Sequence, residues 1–191
     1  LRNSSAASDV YKRQELDGIK SGEKGSLFEG AHRPGHFDGV LTVVNRLFDL
    51  VNPTSVVFGK KDAQQLYLVK EFLANKSNNL KIIEAEIIRD EYGLAMSSRN
   101  RLLSKSGINI ARNIFQILEN TKEHFIQNQD IQQSEDFGKK LFDENAIEYD
   151  YLNFVDPKYF ETPDSNREKL LLITAAYVQG IRLIDNMEVI Q

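Results

Sequence analysis

The stretch Ser55-Val56-Val57-Phe58-Gly59-Lys60-Lys61-Asp62-Ala63-Gln64-Gln65 decides how the rest of the chain is organised. Its β-branched and aromatic start predicts a buried β-strand over residues 55–58. At Gly59 the chain can turn tightly and let a ligand approach its backbone. Apolar residues then repeat at helical spacing to about residue 75: Leu66, Val69, Phe72 and Leu73. In an α/β sheet, anionic ligands bind where a strand, a glycine turn and a helix N-terminus follow one another, so the stretch predicts such a site.

The segments on either side of this stretch predict a parallel sheet. A helix over about 40–50 is indicated by apolar residues at helical spacing: Val40, Val43, Val44, Leu47, Phe48 and Val51. Pro53 ends this helix because it pushes Asn52 out of helical dihedral angles. Residues 80–88 predict the next strand, whereas the glycine-rich residues 15–30 predict a loop. A strand, a helix and a strand in this order are typical of a parallel sheet.

From about Ser104 the chain changes character. A long amphipathic helix is indicated by apolar residues at helical spacing: Ile108, Ala111, Phe115, Leu118 and Phe125. A second helix is predicted over 134–145 and a strand over 149–155. Residues 169–178 and 181–189 predict a β-hairpin that turns at Gln179-Gly180. Helices followed by an antiparallel sheet favour a small α+β domain.

These elements divide the chain into three predicted parts. Residues 1–14 are polar and without periodicity, and they predict a foreign or disordered leader. Residues 15–88 form the predicted parallel α/β part, and residues 89–191 form the α+β part that covers it.

Composition narrows the class of protein. Hydrophobic residues make up 41% and charged residues 27% of the 191 residues, which is typical of a globular protein. The net charge of −4 argues against a broad nucleic-acid-binding face. The absence of cysteine excludes disulfides and thiolate-bound zinc. No apolar run reaches the ~20 residues that cross a bilayer, so the sequence predicts a cytoplasmic protein without a membrane or nucleic-acid partner.

The predicted turn at 59–62 has two interpretations. In the functional one, Lys61 or Lys60 meets a phosphate group with help from the helix dipole, and Gln65 points its amide into the same cleft. In the structural one, Asp62 is a helix N-cap and Gln65 completes a capping box. Both interpretations are compatible with the sequence.

Two further segments carry candidate ligands for an anion. Ser97, Ser98 and Arg99 can bind a polyphosphate and stabilise a leaving pyrophosphate, although a serine here can equally cap a helix. Residues 32–36 predict a tight turn that brings Arg33 and His36 near an anionic ligand. No triad, metal-ligand cluster or glycine-rich dinucleotide fingerprint is present, and the pair Asp185-Asn186 is expected to shape the last hairpin.

Four sequence segments, taken together, resemble those of the pantoate–β-alanine ligase family: EGAHRPGHFDGVLTVVNRLFDLVNP, VVFGKKDAQQ, GLAMSSRNRLLS and RLIDN. The resemblance implies a Rossmann-like parallel-sheet domain, incomplete here, followed by a small α+β domain with an antiparallel sheet. It implies that ATP, with Mg²⁺, activates pantoate as pantoyl adenylate with release of pyrophosphate. The amine of β-alanine then displaces AMP and forms pantothenate. It also implies a homodimer.

The resemblance implies a role for each matching residue. The ATP-binding turn corresponds to Gly59, Lys60, Lys61 and Asp62, with Lys61 at the phosphates and Asp62 at the ribose. Further ATP contacts correspond to the backbone of Ile88 and to Met96, Ser97, Ser98 and Arg99. Charge in the reaction is offset by Lys61, Ser97, Ser98 and Arg99. The pantoate site corresponds to Gln65 and an apolar wall of Val40, Val43 and Val44, with His36 and Arg33 nearby.

The chain also departs from the family pattern. It lacks the family's N-terminal part, including a His-x-Gly-His helix start, so the 191 residues alone are expected not to make pantothenate. One alternative is another adenylyl- or nucleotidyl-transferring enzyme of the same superfold. The other is a non-catalytic nucleotide-binding module.

Overall fold

The computed structural model describes residues 18–76, 80–163 and 169–190. The helices are α1 (Glu29–His32), α2 (His36–Val51), α3 (Ala63–Ala74), α4 (Lys105–Asn128) and α5 (Ile131–Glu144). The strands are β1 (Ser55–Gly59), β2 (Lys81–Ala85), β3 (Glu148–Val155), β4 (Lys169–Val178) and β5 (Ile181–Ile190). Short 3-10 helices cover Glu23–Ser26 and Ser98–Leu102. The α/β fold class is confirmed, and the predicted leader over 1–14 lies outside the described residues.

The N-terminal part is built on the parallel pair β1 and β2, which align from Ser55 with Lys81 to Gly59 with Ala85. Helices α2 and α3 cover one face of the pair, and Phe58 and Ile82 pack into the shared core. The other face leaves Val57 65% exposed. The prediction of a buried strand is therefore wrong within the described residues, because helices cover only one of its faces.

Helix α2 begins four residues earlier than predicted, at His36, and ends where expected. Asn52 follows it in the left-handed conformation with φ 46°, one residue before Pro53. The helix turns Phe37, Leu41, Val44 and Phe48 toward the core. The other predicted apolar positions are exposed: Val43, Leu47 and Val51. The predicted loop over 15–30 is also wrong in part, since it contains the 3-10 turn and the start of α1.

The C-terminal part is a three-stranded antiparallel sheet with β4 in the centre. Helices α4 and α5 pack on this sheet, and Phe125, Phe142 and Phe154 are fully buried between the layers. Gln179 and Gly180 join β4 to β5 with φ values of 52° and 74°. Positive φ at both residues is what a two-residue type I′ hairpin requires. The predicted hairpin and the α+β character of this part are confirmed.

Among the described residues, no helix has both the length and the apolar character needed to span a membrane. The predicted division between residues 88 and 89 stays a prediction. Met96 donates a backbone hydrogen bond across it to Ile88, whereas Arg89 binds Asp185 on β5 within the predicted C-terminal part.

Candidate functional site

A cleft lies between the N-terminal part and the C-terminal sheet. Its walls come from α1, the start of α2, the turn before α3, and strands β3 to β5. The space in it that is open to water is ≈ 40 Å³. Since one water needs about 10–15 Å³ on this measure, the cleft holds about three waters.

The turn between β1 and α3 forms one wall. The Lys60 N–H donates to the Ala85 carbonyl at 2.8 Å, which continues the β1–β2 ladder into the turn. Gly59 does not adopt a positive φ, and a Cβ placed on it would contact nothing within 4 Å. The backbone conformation therefore does not require glycine at this position. The glycine instead leaves open space directly beside the turn.

The two lysines of the turn have different environments. Lys60 Nζ lies 2.5 Å from a carboxylate oxygen of Glu86 and 3.6 Å from one of Glu188. Lys61 lines the cleft and forms no ion pair with another described residue. Burial lowers the pKa of Lys61, and the charges of Asp62 and Asp185 partly oppose this shift. Lys61 is therefore the lysine that is available to a ligand.

The capping box predicted for α3 does not form. Asp62 occupies the N-cap position, but with φ −92° and ψ 62° it is not extended, and its side chain makes no capping hydrogen bond. Gln64, rather than Gln65, is buried, and its amide donates to the carbonyls of Lys24 and Leu27 at 2.8 and 2.9 Å. Gln65 lines the cleft and makes no hydrogen bond with another described residue. Both Asp62 and Gln65 thus keep their polar atoms available.

Residues 96–99, the second segment with predicted phosphate ligands, lie near the turn between β1 and α3. The Met96 N–H donates to the Ile88 carbonyl at 2.8 Å, which holds these two predicted ATP-binding positions together. The Ser97 hydroxyl accepts from the Arg99 N–H at 3.2 Å, so the predicted capping role of a serine is confirmed for Ser97. Arg99 donates to the Arg182 carbonyl at 3.1 Å. Ser97 and Lys61 line one small cavity, which places the two predicted phosphate-binding segments side by side.

Arg33 and His36 both line the cleft, and their contact with an anionic ligand stays a prediction. Arg33 donates to Glu29 at 3.1 Å. Burial lowers the pKa of His36, and the charge of Arg33 acts in the same direction, so the imidazole is neutral at pH 7. The three valines predicted for an apolar wall do not line this cleft: Val40, Val43 and Val44. Their assignment stays a prediction.

Sequence reasoning missed a buried ion cluster that joins the two parts. Glu29 is 5% exposed, and both of its carboxylate oxygens accept from Arg182 Nη1 at 2.8 Å. Arg182 also donates to Asp150 at 2.7 Å, and the Tyr151 hydroxyl donates to Glu29 at 3.2 Å. Glu29 and Arg182 are 153 residues apart in sequence, and no local pattern connects them.

The pair Asp185-Asn186 also differs from its prediction. Their side-chain partners lie outside the hairpin, in the N-terminal part for Asn186 and at Arg89 for Asp185. Asn186 donates to the carbonyls of Lys60 and Lys61, and Asp185 accepts from Arg89. Within the described residues, no group of three or more histidine, aspartate or glutamate side chains could hold a metal ion.

Comparisons with known proteins agree on one family. A family model described as pantoate-beta-alanine ligase matches residues 5–188. The pantothenate synthetase of Cytophaga hutchinsonii is 39% identical over 168 residues, which cover 86% of this chain and 59% of the relative. That of Acidothermus cellulolyticus is 40% identical over 185 residues, covering 95% and 61%. The chain thus spans about three fifths of the length of these curated relatives.

Solved structures give the same result. A pantothenate synthetase structure from Thermus thermophilus superposes with a TM-score of 0.84 and 34% identity, covering 91% of this chain and 63% of that one. The pantoate-beta-alanine ligase of Francisella tularensis superposes with a TM-score of 0.71 and 30% identity, covering 94% and 60%. That structure was solved as a complex with beta-gamma ATP and beta-alanine.

Proposed function

The chain belongs to the pantoate–β-alanine ligase family, and on this premise we propose that it carries an ATP and pantoate site for the synthesis of pantothenate. In the first step, a pantoate carboxylate oxygen attacks the α-phosphorus of ATP, the bond to the β-phosphate oxygen breaks, and pyrophosphate leaves. In the second step, the β-alanine amine attacks the acyl carbon of pantoyl adenylate. An amide bond forms, AMP leaves, and the amine loses a proton.

The observation that carries the proposal is the environment of Lys61. It is a half-buried cation in the cleft, near Arg99, at the N-terminus of α3, and without an ion pair among the described residues. A buried, unpaired cation is unfavourable for stability. Its charge is useful where negative charge shifts during the reaction, as it does when pyrophosphate leaves.

The remaining residues have proposed roles around this cation. Ser97, Ser98 and Arg99 offset charge on the phosphates from the neighbouring segment. The open space beside Gly59 lets the phosphate chain approach the turn. Other proposed ATP contacts come from Lys60 and Met96 in these two segments, the Asp62 carboxylate at the ribose, and the Ile88 backbone at adenine.

Pantoate is proposed to bind at the side of the cleft that Gln65 faces. Gln65 supplies a free amide, and Arg33 supplies a cation for the pantoate carboxylate. Neutral His36 can donate or accept one hydrogen bond there. The apolar wall assigned to Val40, Val43 and Val44 belongs to the same proposal.

Mg²⁺ is proposed to enter with ATP. Magnesium in nucleotide sites is bound by substrate phosphates and waters with one or two carboxylates. When bound with ATP, the ion would supply positive charge that shields the triphosphate. A homodimer and a cytoplasmic location are proposed on the resemblance alone.

Two measurements test the proposal. Titration calorimetry gives ATP and pantoate affinities for the 191-residue chain. Pyrophosphate release is followed in a chimera that joins this chain to the part of the Acidothermus cellulolyticus relative that the chain does not match. Lys61→Ala should slow pyrophosphate release by about 10²-fold, the scale for loss of one electrostatic donor.

Lys70→Ala is the matched control, because this lysine lies on α3 and pairs with Glu84 away from the turn. It should leave the rate within about twofold. ATP binding without pantoate-dependent pyrophosphate release would favour the non-catalytic module. Release supported by an acid other than pantoate would favour another adenylyl transferase. Either result would overturn the proposal.

A further inference from the structure

Strand β5 buries two successive polar residues, Asp185 and Asn186, which are 5% and 4% exposed. Successive side chains of a strand point to opposite faces, so burial of both means that both faces are covered there. Buried polar groups need partners. Both residues find partners outside their own sheet, in the two segments that contain the proposed ATP site.

Asn186 holds the turn between β1 and α3. Its side-chain nitrogen donates to the Lys60 carbonyl at 3.0 Å and to the Lys61 carbonyl at 2.9 Å, which uses both amide hydrogens. In a planar trans peptide the C=O and the following N–H point in opposite directions. Two fixed carbonyls therefore fix the directions of the Lys61 and Asp62 N–H groups, away from Asn186.

Asp185 holds the other segment through Arg89. The two guanidinium nitrogens of Arg89 donate to the two carboxylate oxygens of Asp185 at 2.7 and 3.0 Å. They also donate to the carbonyls of Gly93 at 2.9 Å and Asn186 at 2.9 Å. The guanidinium lies 4.7 Å from the centre of the Phe115 ring. Arg89 is therefore occupied in holding the chain that leads into residues 96–99, and it is not free to bind phosphate.

We propose that Asp185 and Asn186 are positioning residues that set the two phosphate-binding segments against each other from the C-terminal sheet. The proposal rests on the proposed function. Asn186 acts through the turn at 59–62, and Asp185 acts through Arg89 on the segment 96–99. Neither side chain has to touch the nucleotide.

The first test needs no ligand. Amide hydrogen exchange is compared in the 191-residue chain, in Asn186→Ala and in Asn153→Ala. Asn153 is the control because it lies in the same sheet and its amide donates to Glu135 within the C-terminal part. Asn186→Ala should raise exchange of the Lys60 and Asp62 amides, which donate to the Ala85 and Gly59 carbonyls, about tenfold and leave the β3–β4 ladder unchanged. Asn153→Ala should leave these two amides unchanged.

The second test separates positioning from general stability. ATP and adenosine affinities are measured by calorimetry for the same proteins. Asn186→Ala should weaken the binding of ATP about tenfold, or about 1.4 kcal/mol. It should weaken the binding of adenosine less than twofold, because only the triphosphate is proposed to contact the turn. Asn186→Leu removes the same donors at nearly constant size and adds no charge. It should also weaken ATP binding about tenfold and adenosine binding less than twofold, and it replaces the alanine variant if that variant does not fold.

The outcomes are distinguishable. If the Lys60 and Asp62 amides exchange at the wild-type rate in both Asn186 variants, the positioning role is wrong. It is also wrong if ATP and adenosine weaken equally, since this indicates a purely structural role. If wild type does not prefer ATP to adenosine, the proposed function fails, and the exchange experiment still decides whether Asn186 holds the turn.

Discussion

Glu29→Gln should destabilise the protein strongly, although it changes few atoms. Glu29 is buried and accepts hydrogen bonds from Arg182, Arg33 and Tyr151. Removing one partner of a buried ion pair costs about 3–5 kcal/mol, because an uncompensated charge stays buried. Arg182 keeps Asp150 at 2.7 Å, so part of its charge stays compensated. We therefore expect a loss of about 2–3 kcal/mol in the free energy of unfolding.

Urea unfolding at pH 7, followed by circular dichroism, measures this loss as a lower midpoint at an unchanged slope. Glu144→Gln is the control, since Glu144 is an exposed partner of Lys140 at 3.6 Å on α5. Exposed helix pairs contribute about 0.3–0.5 kcal/mol. The control should therefore stay within about 0.5 kcal/mol of wild type.

The pH dependence gives a second check on the same variant. Burial raises the pKa of Glu29, but the hydrogen bonds and charges of Arg182 and Arg33 outweigh it and hold the pKa below the ordinary 4.5. A lowered carboxylate pKa gives stability that is complete above the unfolded value and is lost as pH falls through the folded one. The difference between wild type and Glu29→Gln should be constant from pH 7 to 5 and shrink below 4.5. A loss under about 1 kcal/mol at pH 7, far below the range for a buried pair, or a difference that grows in acid, would refute the ion-pair argument.

Four further changes test the site and its scaffold. Gly59→Ala should leave the unfolding midpoint unchanged or slightly raised, since its Cβ meets nothing within 4 Å, yet calorimetry should show ATP binding weakened tenfold or more. Gln65→Ala should raise the chimera's KM for pantoate with an unchanged melting temperature. Gln64→Ala, which removes buried hydrogen bonds to two carbonyls, should instead lower the free energy of unfolding by about 2 kcal/mol. Gly93→Ala should cost more than about 2 kcal/mol in urea unfolding, because φ is 90° and the new Cβ would lie 2.0 Å from the Phe115 ring.

Sequence patterns predicted the features that depend on near neighbours. The hairpin at Gln179-Gly180 follows from a glycine, which tolerates positive φ, between two strand-forming runs. Helix α4 follows from its apolar period and from Ser104, whose hydroxyl accepts from the Gly107 N–H at 3.1 Å. The strand, the turn and the helix over residues 55–74 were predicted because they are adjacent in sequence, and phosphate binding at this turn stays a prediction.

The same patterns were wrong where burial depends on which layers are present. β1 has the composition of a strand buried on both faces, yet Val57 is 65% exposed, because the described helices cover one face. Helix α2 is apolar around more than one face, so periodicity alone could not select Leu41 and Val44 over Val43 and Leu47. Amino-acid composition shows whether a face of a strand or helix is apolar enough to be buried. Whether that face is buried depends on the layer that packs against it.

One feature of the sequence marks the contacts between the two parts of the chain, although its meaning is clear only with the structure. Asp and Asn are depleted in strands, yet Asp185 and Asn186 stand in the middle of a strand, between the apolar residues Ile184 and Met187. A residue type that is disfavoured in its own helix or strand is expected mainly at functional sites. There, contacts with a distant part of the chain compensate for the unfavourable residue. Here the compensation comes from Lys60 and Lys61, about 126 residues away, and from Arg89. Sequence can therefore mark such a pair as anomalous, but its partners become known only when the fold brings the segments together.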